Sequence, residues 1–93
     1  MSINICICGG GGLGHVIAGL AAHKGFNVSV LTRHPDQWNP SLLIEDCQGN
    51  TFSGSLACVT ANPAEVIPHS DIVLLCLPGF VIEEEFVYIK GFL

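Results

Sequence analysis

Four consecutive glycines near the start of the chain restrict what this sequence can fold into. Gly9 to Gly12 follow the short apolar stretch of residues 2–8 and precede a segment with helical periodicity. Each ordered glycine costs backbone entropy, so such a run is typical of a flexible linker or of a loop that something must approach closely. A strand before the glycines and a helix after them favour the loop, with a glycine-rich turn that binds nothing as the alternative.

The residues after the glycines follow first a helical pattern and then a strand pattern. Apolar residues recur at i, i+3, i+4, i+7 and i+8, at Leu13, Val16, Ile17, Leu20 and Ala21. They predict a helix from residue 13 to about residue 24, with Gly25 at the position where a helix end favours a left-handed residue. The alternating, valine-rich residues 26–31 predict a second strand. Together these elements form a βαβ unit with parallel strands and a right-handed crossover.

The remainder of the chain predicts more of the same sheet. Residues 42–56 contain the turn dipeptides Gly49-Asn50 and Ser53-Gly54 and predict one or two hairpins. Residues 55–60 and 71–78 predict two further strands. The second of these is so continuously apolar that we expect it in the middle of a parallel sheet covered on both faces.

Two helices complete the predicted order. A short helix over residues 63–67 begins at Asn62, a good capping residue. A last helix follows residue 78 and carries the acidic residues 83–85 on a solvated face. The fold class is therefore α/β, a Rossmann-type parallel sheet with flanking helices. We expect residues 1–93 to be an incomplete dinucleotide-binding domain that lacks a catalytic domain.

The pattern G-x-G-x-x-G between a strand and a helix is the fingerprint of a loop that holds a dinucleotide pyrophosphate. Only one frame fits, Gly9, Gly11 and Gly14, because a frame that begins one residue later needs a glycine where the chain has His15. These glycines make the tight turn, let the backbone approach the pyrophosphate and let the helix pack on the strand. The predicted cofactor-binding residues of the loop are Gly9, Gly10, Gly11, Gly12, Leu13 and Gly14.

The end of the second strand indicates which dinucleotide is bound. NAD-binding domains carry an acidic residue about twenty residues after the glycines, but here Thr32 occupies that position and Arg33 follows. An arginine can hold a 2′-phosphate bidentately, and the missing carboxylate removes a repulsion. We therefore predict NADP rather than NAD, bound by Thr32, Arg33 and His34, with an exposed strand-end arginine as the alternative. His15 either contacts the cofactor or packs on the first strand. Trp38 could stack on an adenine, but its place in a proline-flanked turn favours a hydrophobic plug under a loop.

Composition excludes several kinds of partner. With a net charge of −5 and only three lysines and arginines, the chain has no basic stripe for nucleic acid. Its apolar runs are shorter than the ~18 residues of a membrane span, and its start lacks a signal-peptide pattern. Charged residues make up only 12% of the chain, so we expect an apolar surface that meets a second domain or a second copy of the chain.

The five cysteines are odd in number and form no C-x-x-C pair. We therefore expect buried free thiols in a reducing cytoplasm, and neither disulfides nor a metal site.

Two stretches are more specific than a general Rossmann pattern. Residues 6–32 (CICGGGGLGHVIAGLAAHKGFNVSVLT) and residues 60–80 (TANPAEVIPHSDIVLLCLPGF) resemble the NAD(P)-binding N-terminal domain of the octopine/nopaline (opine) dehydrogenase family. That family belongs to the wider 6-phosphogluconate-dehydrogenase-like group. The resemblance implies an NAD(P)-dependent oxidoreductase that transfers hydride while an amino acid condenses reductively with a 2-oxo acid.

The resemblance also implies roles for residues near the end of the chain. Leu77, Pro78 and Phe80 would line the carboxyl edge of the sheet near the nicotinamide ribose. The family's catalytic histidine lies in a second, helical domain that no part of this sequence matches. We therefore expect the chain alone to bind cofactor and to catalyse nothing.

Two other classes of protein share the βαβ start. An arginine after the second strand is also expected in ketopantoate reductase-type enzymes, so Arg33 does not separate them from the opine family. The sequence LPGF at residues 77–80 favours the opine dehydrogenase family. Small nucleotide-sensing modules that gate ion transporters usually carry an acidic residue where this chain has Thr32.

Overall fold

A four-stranded sheet organises the computed structural model, which describes residues 3–9, 11–45 and 47–93. The elements in chain order are β1 (Asn4–Cys8), α1 (Gly12–His23), β2 (Asn27–Leu31), β3 (Ser41–Glu45), β4 (Thr51–Ser55), β5 (Cys58–Thr60), α2 (Pro63–Val66), β6 (Ile72–Leu75) and α3 (Gly79–Ile89). Short 3-10 turns follow β2, α2 and α3. None of the helices in these ranges is long and apolar enough to cross a bilayer.

The strands of the main sheet run parallel in the order β5-β2-β1-β6. This is the order in which the first four strands of a Rossmann fold are arranged. The chain moves outward in one direction from β1 through β2 to β5, and then crosses back to place β6 on the other side of β1. The predicted α/β class and parallel sheet are confirmed, and the sheet order reverses between β1 and β6.

Alternate side chains of β1 serve two separate cores. Ile5 and Ile7 belong to the cluster on the α1 side of the sheet, whereas Cys6 and Cys8 pack with Ile89 on the side of α2 and α3. Residues 5–8 are all buried because helices cover both faces. This explains why the strand is a continuous apolar run with no polar alternation.

The hairpin formed by β3 and β4 packs against α1 and stands where a crossover helix would lie between β2 and β5. It is a single hairpin, whose connection includes Gly49 at φ +84°. The second turn expected at Ser53-Gly54 is wrong, because both residues lie inside β4. A Cβ added to Gly54 would come within 2.9 Å of the Gly19 carbonyl oxygen and 2.7 Å of the Ala22 Cβ. Gly54 is therefore a close-approach residue.

Gly54→Val is expected to destabilise the fold by about 1–3 kcal/mol, the usual cost of overpacking a tight contact. The valine would have to push the hairpin away from the α1 backbone. Urea unfolding of the variant and of the unchanged chain measures the difference. Ser53→Val on the exposed neighbouring position is the control, expected within about 0.5 kcal/mol. If both variants lose the same free energy of unfolding, the close contact between Gly54 and α1 is not what limits the size of the residue.

The most apolar strand lies at the edge of the sheet, so the prediction that it sits in the middle is wrong. Within the described residues β6 pairs only with β1, and it covers only Ile72–Leu75 of the predicted 71–78. Val73 and Leu75 pack in the cluster below α3, whereas Ile72 is 43% and Leu74 36% exposed. An apolar run predicts that both faces of a strand are covered, but it does not predict which element covers them.

Two smaller boundaries also differ from the sequence prediction. The strand expected over residues 55–60 begins at Cys58, because Ser55 still belongs to β4 and the Leu56 N–H donates to the Pro40 carbonyl at 2.7 Å. The short helix begins as predicted, with the Ala64 N–H donating to the Asn62 side chain at 3.1 Å. It continues from Val66 as a 3-10 turn.

The cysteines are free thiols in three kinds of surroundings. Cys6 and Cys8 are buried as expected, Cys58 and Cys76 are half-buried, and Cys47 is exposed, so the expectation of burial is wrong there. A hydrogen bond with the Cys6 side chain raises the pKa of Cys8, and burial adds to the effect. Burial also raises the pKa of Cys58 and Cys76. No group of three metal-binding side chains occurs in the part of the chain that the structure describes.

Candidate functional site

An open cavity of about 450 Å³ lies at the carboxyl ends of the parallel strands. Ligands of open α/β sheets bind at this edge, beside the point where the strand order reverses. Here that point lies between the loop after β1 and the loop after β6. The cavity is lined by Gly9, Gly11, His15, Leu31, Thr32, Arg33, His34, Gln37, Trp38, Ala61, Leu77, Glu85 and Tyr88.

Gly9 makes the sharp turn that ends β1. Its φ of +128° lies in the region that side chains rarely adopt, and its N–H donates to the Leu31 carbonyl at 3.1 Å. An added Cβ would overlap the backbone carbonyl of Cys76. The loops after β1 and β6 therefore meet closely at Gly9.

The other two fingerprint glycines occupy contrasting surroundings. Gly14 is buried, and an added Cβ would lie 3.3 Å from the Gly9 carbonyl oxygen and 3.7 Å from Ile7. The helix thus packs closely on the strand at this position. Gly11 is exposed at the N-cap of α1, and an added Cβ would meet no atom within 4 Å.

The remaining loop residues lie around the start of α1. Gly12 begins the helix and also faces open space, while Leu13 is 64% exposed and outside the cavity lining. Gly10 lies outside the described residues. The first amides of a helix have no intrahelical acceptor and sit at the positive end of its dipole, which favours an anionic ligand.

The three residues predicted at the end of β2 all line the cavity. Thr32 is buried; its N–H donates to the Thr60 carbonyl at 2.9 Å, and its hydroxyl oxygen accepts from the His34 N–H at 3.2 Å. These bonds shape the turn that carries Arg33 and His34 on the exposed rim.

Arg33 lies against a residue from the other end of the chain. Its guanidinium carbon is 5.2 Å from the centroid of the Tyr88 ring, within the range of a cation–π contact. The Tyr88 hydroxyl in turn donates to the Ala61 carbonyl at 2.9 Å, after β5. Three separate segments therefore meet at this rim of the cavity.

His15 and Trp38 stack on each other inside the cavity lining. Their ring centroids are 3.6 Å apart with an interplanar angle of 11°. Trp38 is only 7% exposed and belongs to the core on the α1 side, which confirms the expected plug under the loop. His15 packs on Trp38, and its Nδ1 donates to the Gly11 carbonyl at 3.0 Å.

Of the three residues predicted after β6, one lines the cavity and two do not. Leu77 lines the cavity and lies beside Gly9. Pro78 is exposed at the N-cap of α3, and neither it nor Phe80 is among the lining residues. Phe80 lies in the first turn of α3, which begins at Gly79, and is 88% exposed.

Several lining residues were missed from the sequence. Glu85, expected on a solvated face with Glu83 and Glu84, is half-buried and faces the cavity, as does Tyr88 one turn further along α3. No local pattern indicates that α3 lies over this edge of the sheet. Ala61 could have been found, because it follows β5 at the same edge at which Thr32 follows β2.

No protein-family model matches the chain. An opine dehydrogenase of Haliotis discus hannai is 31% identical over an alignment of 94 positions, which spans 84% of this chain and 23% of that protein. An octopine dehydrogenase of Pecten maximus is 30% identical over an alignment of 99 positions, which spans 92% of this chain and 25% of that protein.

Solved structures of octopine dehydrogenase have the same fold. The complex with NADH and pyruvate superposes with a TM-score of 0.88 at 27% identity, over 99% of this chain and 27% of that one. The complex with NADH and agmatine gives a TM-score of 0.85 at 26% identity, over 99% of this chain and 26% of that one.

The strand order, together with a glycine loop at the point where it reverses, defines a Rossmann-type domain of the dinucleotide-binding class. The chain spans about a quarter of the length of the relatives that it matches. The predicted resemblance is confirmed: the chain is homologous in sequence and fold to the NAD-binding Rossmann domain of opine and octopine dehydrogenases.

Proposed function

We propose that the chain binds a nicotinamide adenine dinucleotide in the cavity at the carboxyl edge of its sheet. The observation that carries the proposal is the glycine loop at the reversal point, where Gly11 and Gly12 leave the start of α1 open to an approaching anion. The octopine dehydrogenase structures that share this fold hold NADH.

The proposed site has a central part at the glycine loop and one half of the dinucleotide on either side of it. The pyrophosphate lies at the loop, where Gly9 and Gly14 shape the turn and the amides around Gly12 and Leu13 supply donors. Gly10 is assigned to the same site by the sequence pattern alone. The adenosine half extends toward residues 32–34. Leu77 borders the nicotinamide half, and Pro78 and Phe80 are assigned to it by the family resemblance alone.

We assign NADP(H) in preference to NAD(H) on the charges at the end of β2. Thr32 stands where a carboxylate would accept the ribose hydroxyl, and the Arg33 guanidinium lies at the rim of the same cavity. Glu85 also lines the cavity, but it comes from α3, and the end of β2 carries no acidic residue. A guanidinium can hold a 2′-phosphate through two parallel hydrogen bonds.

In the whole enzyme this chain acts as the cofactor-binding part of an opine-type dehydrogenase. Bound cofactor supplies the hydride for the reductive condensation of an amino acid with a 2-oxo acid. We assign no catalytic residue to residues 1–93; their role is to hold and orient the cofactor. A catalytic domain is the proposed partner, with a second copy of the chain as the alternative, and neither nucleic acid nor a membrane is assigned. The cytoplasmic location stays a prediction.

The exposed residues of β6 support a partner on the α1 side of the sheet. Ile72 and Leu74 pair in register with Ile5 and Ile7, so their side chains lie on the same face. That face is buried at β1 but open at β6. A surface of this kind is suited to a neighbouring domain.

Calorimetric titration of the purified chain with NADPH and NADH tests the proposal, and Arg33→Asp tests the choice between the two. We expect the unchanged chain to bind NADPH more tightly. In the variant, NADPH should bind about 10- to 100-fold more weakly, because charge-assisted hydrogen bonds are lost and a repulsion is added. NADH should bind at least as tightly as before.

Lys24→Asp is the charge-matched control, because Lys24 lies at the opposite end of α1 from the glycine loop. It should change neither affinity by more than about twofold, since an exposed charge at that distance is largely screened. Equal losses of NADPH and NADH in Arg33→Asp would assign Arg33 a structural role. If the unchanged chain binds neither dinucleotide, the proposed function is wrong for this chain.

A further inference from the structure

The Gly11 carbonyl oxygen accepts two hydrogen bonds from a single residue. The His15 N–H donates to it at 3.2 Å as a helical bond, and His15 Nδ1 lies 3.0 Å from the same oxygen. Because a carbonyl oxygen can only accept, Nδ1 carries a hydrogen and the tautomer of the imidazole is fixed.

Trp38 fixes the plane of the His15 ring. The two rings are nearly parallel, at 11°, and their centroids are 3.6 Å apart. Trp38 itself belongs to the same buried cluster as Ile5 and Ile7 below α1. The imidazole therefore lies on a platform that is part of the core, so it cannot swing freely with the loop.

The hydrogen bonds to Gly11 also determine the direction of the next amide. A trans peptide is planar, so the Gly12 N–H points opposite to the Gly11 carbonyl. The carbonyl is held along the helix toward His15, which directs the Gly12 N–H outward from the start of α1. A Cβ added at either glycine would meet open space, so no packing on these residues holds the peptide in place.

We propose that His15, held by Trp38, is a positioning residue that aims the Gly12 N–H at the pyrophosphate of the dinucleotide. Consecutive glycines are easily reoriented, and the His15 side chain supplies the restraint that the loop lacks. The inference rests on the proposed function and deepens it at the same site. NADPH and NADH share the pyrophosphate, so the loss of His15 should weaken the binding of both. The loss of Arg33 should weaken the binding of NADPH alone.

Two substitutions separate the hydrogen bond of His15 from its stacking. His15→Phe keeps a ring on Trp38 but removes the donor, whereas His15→Asn keeps a side-chain donor within reach of the Gly11 carbonyl but removes the ring. By calorimetric titration we expect His15→Phe to bind NADPH and NADH about 2- to 10-fold more weakly, by the same factor for each, as the loss of one hydrogen bond implies. His15→Asn should lose less affinity than His15→Phe, because it keeps the donor and lacks only the ring that stacks on Trp38.

Thermal unfolding of each variant checks that the fold is retained, and His15→Ala replaces His15→Phe if the latter does not fold. The inference is overturned if the variant without the donor binds as tightly as the unchanged chain. It is also overturned if His15→Asn loses as much affinity as His15→Phe, because the donor then makes no difference. An unchanged chain that binds neither dinucleotide overturns the proposed function instead.

Discussion

Gly11→Val is expected to weaken binding of both NADPH and NADH by about 100-fold or more while the fold stays intact. An added Cβ at Gly11 meets no atom within 4 Å, and φ is −84°, which valine adopts without strain. The isopropyl group would extend into the space through which a phosphate approaches the start of α1. A loss of about 3 kcal/mol of binding free energy corresponds to this factor.

Calorimetric titration gives the affinities, and thermal unfolding shows whether the domain is intact. Gly91→Val is the matched control, because Gly91 is also exposed with open space around an added Cβ, and it is not among the residues that line the cavity. It should leave both affinities unchanged. Retained binding in Gly11→Val would rule out the assignment of the glycine loop to the pyrophosphate.

Gly9→Ala is expected to affect folding, whereas Gly11→Val affects binding. The free energy of unfolding should fall by about 3 kcal/mol or more. The positive φ alone costs about 1–2 kcal/mol in a residue with a side chain. The added methyl group would also overlap the Cys76 carbonyl. The two backbones cannot easily separate, since the Cys76 N–H donates to the Cys8 carbonyl at 2.9 Å and β1 pairs with β6 along its length.

Urea unfolding measures this loss, and Gly25→Ala provides the comparison. Gly25 has a φ of +96° but open space around an added Cβ, so only the conformational cost of about 1–2 kcal/mol applies. The difference between the two variants reports the close approach of the loops after β1 and β6. If Gly9→Ala costs no more than Gly25→Ala, that contact contributes nothing to stability.

Local patterns were sufficient to predict the βαβ unit, whose helix begins within the run of glycines. The surroundings of two of the glycines follow from their spacing: Gly14 packs on β1, and Gly11 is open at the start of α1. The roles of these residues depend on neighbours close in sequence and on one crossover rule. Such short-range information is what a sequence pattern carries.

The features that were missed all depend on long-range packing. The edge position of β6 depends on which strands flank it. The approach of Glu85 and Tyr88 to the cavity depends on the angle at which α3 crosses the sheet, which the helical period does not encode. Trp38 shows both kinds of information. Its burial was predicted from the local sequence, whereas its stacking on His15 requires the loop after β2 to fold back over the start of α1.

The cavity draws its lining from positions between 9 and 88, so it exists only when almost the whole chain is folded. A dinucleotide that binds there binds the folded state alone and shifts the folding equilibrium by mass action. At a concentration 100 times its Kd it adds about 2.7 kcal/mol, a large share of the ~5–15 kcal/mol of a typical domain. The supply of dinucleotide would thus set how long each folded molecule escapes proteolysis, and a fall in cofactor would shorten the lifetime of the protein itself.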